Sequence, residues 1–188
     1  MGSDNLGGVP QSEEPGNQQE RLVDPSWVTG FVDGEGCFSI GLVRQPDRVG
    51  RKGYKTGFQV SHEFSVTQGA KSVDCLRDLR DFFGVGSVLL NTRYDNHREH
   101  LYRYAVRARR ELLEVVIPFF REHPLRTAKR RDFESFVRCI EIMANGRHRT
   151  RSGLIEILEI VQTMNRQKPR HEEIRILRDH TSDVRDIG

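Results

Sequence analysis

Hydrophobic residues recur along this chain with two different periods. Over residues 37–45, Phe38, Ile40 and Leu42 alternate with Ser39, Gly41, Val43 and Gln45. Period two marks a strand with one buried face. A second strand is predicted over 57–67, with Val60, Phe64 and Val66 on one face and Gln59, Ser61, Glu63 and Ser65 on the other. His62 falls among the apolar set and reads as a core or edge histidine. Two further strands are predicted over 86–93 and 101–108, the latter setting Tyr102, Tyr104 and Val106 against Arg103, Ala105 and Arg107. Elsewhere the period lengthens to that of an amphipathic helix. One helix over 72–83 is capped by Ser72 and ended by Gly84, with Val73, Leu76, Leu79 and Phe83 on its stripe. Residues 111–120 are almost continuously apolar and predict a buried helix interrupted or kinked at Pro118. A helix over 129–144, closed by Asn145-Gly146, presents Phe133, Phe136, Val137, Ile140 and Met143. A last helix begins at Ser152.

Ahead of the first strand stands Trp27-Val28-Thr29-Gly30-Phe31-Val32-Asp33-Gly34-Glu35-Gly36. Asp24-Pro25 is a helix start, because Asp caps and Pro fits the first helical position. Gly34 and Gly36 read as a stop, since glycine tolerates the left-handed conformation that ends helices. The segment therefore predicts a short helix over 25–33 that delivers Glu35 at its end. Gly30 and Gly34 are four apart and share a face on which another backbone could come very close. Such a helix is weak alone and wants a packed partner. The element order is thus αββαββααα, an α+β fold with a four-stranded antiparallel sheet covered by helices on one face.

Composition adds boundaries. Residues 1–21 are rich in Gly, Gln, Glu, Pro and Asn and read as a disordered leader. Residues 22–166 form one domain, and 167–188 a charged tail. No run reaches the roughly 18 apolar residues of a membrane span, and the N-terminus lacks the apolar core of a signal peptide. Cys37, Cys75 and Cys139 are widely spaced and form no CxxC, which argues for a reducing intracellular compartment, bacterial cytoplasm or organelle matrix, and against secretion. His97 and His100 lack a cysteine pair and read as a polar turn rather than a metal site. Net charge is only +3, but it is segregated: 93–110 carry six arginines against Asp95 and Glu99. Residues 46–56 form a basic turn, and 121–131 carry five basic groups against Glu122. A polyanion partner and an ordinary solvated basic face both fit that pattern. The polar sheet face carries Ser, Gln, Asn and Arg, which can bond base edges; any exposed antiparallel face would also be polar.

Val28-Thr29-Gly30-Phe31-Val32-Asp33-Gly34-Glu35-Gly36 resembles the LAGLIDADG motif of homing endonucleases. The likeness continues through Phe64-Ser65-Val66-Thr67-Gln68, Phe83-Gly84-Val85-Gly86, and Pro118-Phe119-Phe120 with Leu125, Lys129 and Phe133, over roughly 25–165. The motif occurs once, and single-motif members work as homodimers. The resemblance implies that two motif helices pack together through Trp27, Gly30, Phe31 and Gly34. It implies that Glu35 and the Gly34 carbonyl face a divalent metal, Mg²⁺ with Mn²⁺ as a substitute, and that Ca²⁺ supports binding without cleavage. Gln68 matches a polar residue that orients water. Lys129 matches a basic residue beside the scissile phosphate, with Arg126 and Arg130 as alternatives. A further basic group follows the Gln68 position in related enzymes; here Gly69 and Ala70 intervene before Lys71. Double-stranded DNA would lie on the sheet against Ser39, Val43, Arg44, Gln45, Gln59, Ser61, Glu63, Ser65, Ser87, Leu89, Asn91, Arg93, Arg103 and Arg107. The implied activity is site-specific double-strand cleavage of a long pseudo-palindromic target. The alternatives are a non-cleaving relative, namely an intron RNA maturase or a DNA-binding regulator, and an αβ domain with no nucleic-acid role. Intron RNA is not specifically indicated.

Overall fold

The computed structural model describes residues 23–45, 50, 56–91, 100–164 and 171–179. The leader, most of the basic turn, Arg93, His97 and most of the polar connection before His100 lie outside the described residues. Helix α1 spans Pro25–Glu35, strand β1 Gly36–Arg44 and strand β2 Phe58–Gly69. A 3₁₀ turn, Ala70–Ser72, leads into α2, Val73–Phe83; β3 is Ser87–Asn91 and β4 Leu101–Val106. Then come α3 (Arg109–Glu111), a π-type turn (Leu112–Val116), α4 (Ile117–Glu122), α5 (Lys129–Ala144), α6 (Arg151–Val161) and α7 (His171–Asp179).

The strands form one antiparallel sheet in the order β1-β2-β4-β3. Alternation decides its two faces. Phe38, Ile40, Phe58, Val60, Phe64, Val66, Tyr104 and Val106 are buried under the helices. Their rings meet Phe83 from α2, Phe120 from α4, and Phe133 and Phe136 from α5. The opposite face holds the polar set, with Ala105 buried and Val43 and Leu89 exposed among it. His62 joins the covered face, with both ring nitrogens buried and unpartnered among the described residues.

Local sequence explains most element ends. The Asp24 carboxylate accepts from the Ser26 N–H at 2.7 Å, and Pro25 occupies the first turn. Gly84 and Gly146 close α2 and α5 at φ 66° and 72°. Four expectations change. First, α1 continues through Glu35, and Gly36 is extended (φ −70°) rather than left-handed. Glycine is needed there for space: a Cβ would lie 2.6 Å from Val32 Cγ1 and 2.7 Å from the Val32 carbonyl oxygen. Second, Thr150, not Ser152, caps α6, accepting from the Gly153 N–H at 3.1 Å. Third, Ser72 makes no side-chain cap bond to α2. The interruption expected at Pro118 takes the form of a π-type turn, Leu112–Val116, just ahead of α4, where the missing proline N–H would otherwise disturb the regular ladder. Fourth, part of the stretch read as a charged tail is helical, and Ile174 and Leu177 of α7 enter the core.

Candidate active site

The C-terminal end of α1 meets one end of the sheet. Gly36 begins β1 and pairs in register with Val66, so Gln68, two residues further along β2, runs past the strand start beside the end of α1. Consecutive helical residues are rotated by roughly 100°, so Asp33 and Glu35 leave α1 in nearly opposite directions. Glu35 is exposed. Asp33 turns into the loop ahead of α5. Its carboxylate accepts from the Arg126 N–H (3.0 Å), the Thr127 N–H (3.1 Å) and the Thr127 hydroxyl (2.7 Å). Burial opposes ionisation of Asp33, but these donors, with Lys129 nearby, hold its carboxyl below the ordinary value of 3.8.

The same threonine fixes the start of α5, because its hydroxyl oxygen accepts from the Lys129 N–H at 3.2 Å. Lys129 is thereby aimed back at α1, and its half-buried ammonium donates to the Gly36 carbonyl. Arg130 points away onto Glu134 (3.0 Å), and Arg126 engages Asp33 through its backbone. Of the three basic candidates, Lys129 is the one whose side chain bonds to the motif among the described residues. Thr127 was not singled out from the sequence. The available signal was a Thr two residues before a predicted helix start.

The last carbonyls of a helix lack intrahelical partners, and the helix dipole makes that end negative. Gly34 and Glu35 contribute such carbonyls together with the Glu35 carboxylate. No group of three His, Cys, Asp or Glu side chains able to hold a metal occurs among the described residues. The described residues therefore offer no closed cage of side chains. One hard carboxylate and backbone oxygens instead fit Mg²⁺ or Ca²⁺, which take oxygen ligands; Mg²⁺ commonly completes its shell with water and phosphate. The donor set fits that kind of ion.

The open sheet face places Ser39, Val43, Gln59, Ser61, Glu63, Ser65, Ser87, Leu89, Asn91 and Arg103 on one side by strand parity, with Gln45 and Arg107 just beyond the ends of β1 and β4. Val43 and Leu89 are exposed, at 46% and 45%. The Gln45 amide donates to Gln59 Oε1 at 3.2 Å. Two residues depart from this arrangement. Arg44 has the parity of the covered face and is exposed at the strand end. Ser65 is buried at 2%, with its hydroxyl accepting from Arg103 Nη2 at 3.0 Å.

On α1, Val28 and Val32 are fully buried, while Trp27, Gly30, Phe31 and Gly34 form the opposite i, i+3, i+4, i+7 stripe. Trp27 is 41% exposed and stacks on Phe31 with ring centroids 5.0 Å apart. A Cβ added at Gly30 or Gly34 would meet nothing within 4 Å. Among the described residues nothing requires glycine at either position.

Comparison with known proteins agrees with this geometry. The pattern of the LAGLIDADG endonuclease family matches residues 28–140. A Podospora anserina protein described as an uncharacterized 50.9 kDa protein in ND4 intron 1 is 34% identical over 69% of this chain and 26% of its own length. Probable intron-encoded endonuclease 2 of Neurospora crassa is 28% identical over 76% of this chain and 29% of its own. The chain thus spans a quarter to a third of the curated relatives it matches. The crystal structure of the homing endonuclease I-TnaI superposes with a TM-score of 0.67 at 39% identity, covering 84% of this chain and 97% of that one. I-SmaMI, bound to an uncleaved DNA target in the presence of calcium ions, superposes at 0.69 and 28% identity, covering 85% of this chain and 49% of that one. By sequence pattern, fold and motif position, this chain belongs to the LAGLIDADG endonuclease family.

Proposed function

We propose that this chain is a site-specific double-strand DNA endonuclease that acts as a homodimer with a divalent metal. The observation that carries the reading is the convergence of the exposed Glu35, the α1 carbonyl end and the Lys129 ammonium at one end of an open polar sheet. DNA would lie on that sheet, with Arg103 and Arg107 supplying positive charge and Gln59, Ser61 and Asn91 able to meet base edges. Glu35, with the Gly34 carbonyl, would hold Mg²⁺, which supplies Lewis-acid stabilisation of phosphate charge and a more acidic water. Lys129 is held by Thr127 and Gly36 where it could offset charge on the scissile phosphate. Gln68, at the same end, would orient the attacking water.

Two observations support the dimer. Trp27, Gly30 and Gly34 are exposed, with Phe31 half-buried beside them, and among the described residues nothing within 4 Å calls for glycine at 30 or 34. This chain also matches nearly all of I-TnaI but only half of I-SmaMI, so two copies would supply what the longer protein holds in one chain. A two-fold dimer reads a roughly palindromic target.

The decisive experiment selects cleaved and bound sequences from a randomised duplex library, with Mg²⁺ and with Ca²⁺. Cleaved products are expected only with Mg²⁺, and bound sequences with both. Glu35→Gln is expected to keep binding and lose cleavage by at least about a thousandfold, in line with losing a group that stabilises the transition state. Full cutting by that variant removes Glu35 from the metal site. Selective binding without cutting in any divalent ion identifies a non-cleaving relative.

A further inference from the structure

At the centre of the open face lies an ion triad that base reading alone does not explain. Glu63 sits on β2 with its side chain only 12% exposed. One carboxylate oxygen lies 2.5 Å from Arg103 Nη2, and the other accepts from Arg107 Nε at 2.5 Å. Arg103 also donates to the buried Ser65 hydroxyl at 3.0 Å. The arginine side chains themselves remain more open, at 34% and 59%.

We infer that Glu63 is a specificity-determining positioning residue: it clamps Arg103 and Arg107 so that the two guanidiniums read neighbouring base pairs as one unit. This rests on the sheet being the DNA face. A carboxylate so covered and engaged through both oxygens has little left to offer a base. An uncompensated carboxylate there would also repel phosphates, so its presence on a DNA face needs a reason. Its effect on the arginines supplies one. Arg103 lies on β4 and Arg107 four residues later, just past the strand's end, roughly 13 Å along an extended chain. Unconstrained, their heads could address base pairs several steps apart, at ~3.4 Å per step. Gripping one carboxylate draws the heads together. Each guanidinium has five N–H donors; Arg103 Nε is buried, so the terminal N–H groups not used by Glu63 or Ser65 are those left for guanine O6 and N7. A pre-set fork loses less side-chain freedom on binding and tolerates fewer wrong bases.

The test reads the sequences bound in Ca²⁺ by the full chain from a randomised duplex library, so it does not depend on cutting. Wild-type protein is expected to show strong preference at two adjacent positions in each half-site. Glu63→Gln is expected to relax preference there about tenfold, leave the other positions unchanged, and bind random duplex as tightly or more tightly. In an Arg103→Ala, Arg107→Ala background, the same change should add nothing at those positions. An unaltered profile in folded Glu63→Gln, or full relaxation persisting without the arginines, overturns the inference. Should Glu63→Gln fail to fold, Arg103→Lys and Arg107→Lys replace it: each should disturb both positions through the shared carboxylate. Disturbance confined to one position per variant overturns the clamp. A wild-type chain that selects sequences but cuts none defeats the endonuclease reading and leaves this comparison intact; one that selects nothing overturns both.

Discussion

Asp33 and Glu35 are two carboxylates on one helix end with opposite surroundings. Helical rotation sends Glu35 to the exposed side and Asp33 into the loop before α5, where three donor groups meet it. A carboxylate bonded to backbone N–H groups contributes about 1.5–3 kcal/mol per well-made bond, and these bonds are not additive. Asp33→Ala is therefore expected to lower stability by about 2 kcal/mol in denaturant melts. It should also slow single-turnover cleavage, because Thr127 and then Lys129 lose their anchor. Asp33→Asn, which keeps one acceptor oxygen, should fall between. Because folding depresses the Asp33 pKa, its contribution is present above about pH 3.8 and is lost as pH falls through the lower folded value. The wild-type melt should therefore weaken below pH 4 more steeply than that of the Ala variant. From sequence alone Glu35 reads as the working acid. The partner of Asp33 is not legible, because Arg126 and Thr127 lie more than ninety residues away and the bonds use backbone atoms.

At the scale of elements, α1 carries two stripes with separate purposes. Val28 and Val32 hold it to its own sheet, Trp27, Gly30 and Gly34 are exposed, and Phe31 is half-buried against the core at the stripe's edge. Gly30→Leu is expected to leave the protomer folded, because its Cβ meets no atom within 4 Å, and to convert a dimer into a monomer by blocking close helix approach. Sedimentation velocity against concentration checks this; a Gly30→Leu dimer with wild-type affinity removes the stripe from the interface. Gly36→Ala should instead damage the protomer itself, since the added methyl would collide with Val32 backbone that cannot move freely. Periodicity made the sheet legible, because four strands with one covered face alternate cleanly. It missed α7, where only Ile174, Ile176 and Leu177 break a charged run and tertiary contact with α6 completes the helix. It placed the end of α1 two residues early, because a Gly-Glu-Gly sequence looks like a stop even where Gly36 is extended and is small to clear Val32. Side-chain exposure within the sheet also escaped the pattern: Ser65 has the open-face parity yet is buried beneath Arg103.

Across the whole molecule, charge placement governs both ligand and stability. A protein using on the order of six arginine or lysine contacts to phosphate should lose about a thousandfold in affinity between 50 and 200 mM salt. Anisotropy titrations over that range check the basic face, and a flat response counts against phosphate contacts. A second cationic cluster lies on the covered side, where α3, the end of α5 and the turn Arg147–Arg149 meet β2. Arg109 donates to the Met143 carbonyl at 2.9 Å, beside His62 and His148. Burial and then Arg109 hold His62 below its usual 6.5, with His148 adding to that and the Arg107 backbone opposing it. Burial, Arg109 and Arg149 do the same to His148, opposed by the Met143 backbone. Both histidines are therefore neutral in the folded chain at pH 7, and protonation is easier once the chain unfolds. A depressed folded pKa costs nothing above 6.5; below it the unfolded state binds more protons and stability falls. Melting temperature should drop between pH 7 and pH 5, a window above the carboxylate transitions. Replacing His62 with Leu and His148 with Asn should flatten that drop, whereas an unchanged slope in the double variant would assign the loss to other groups.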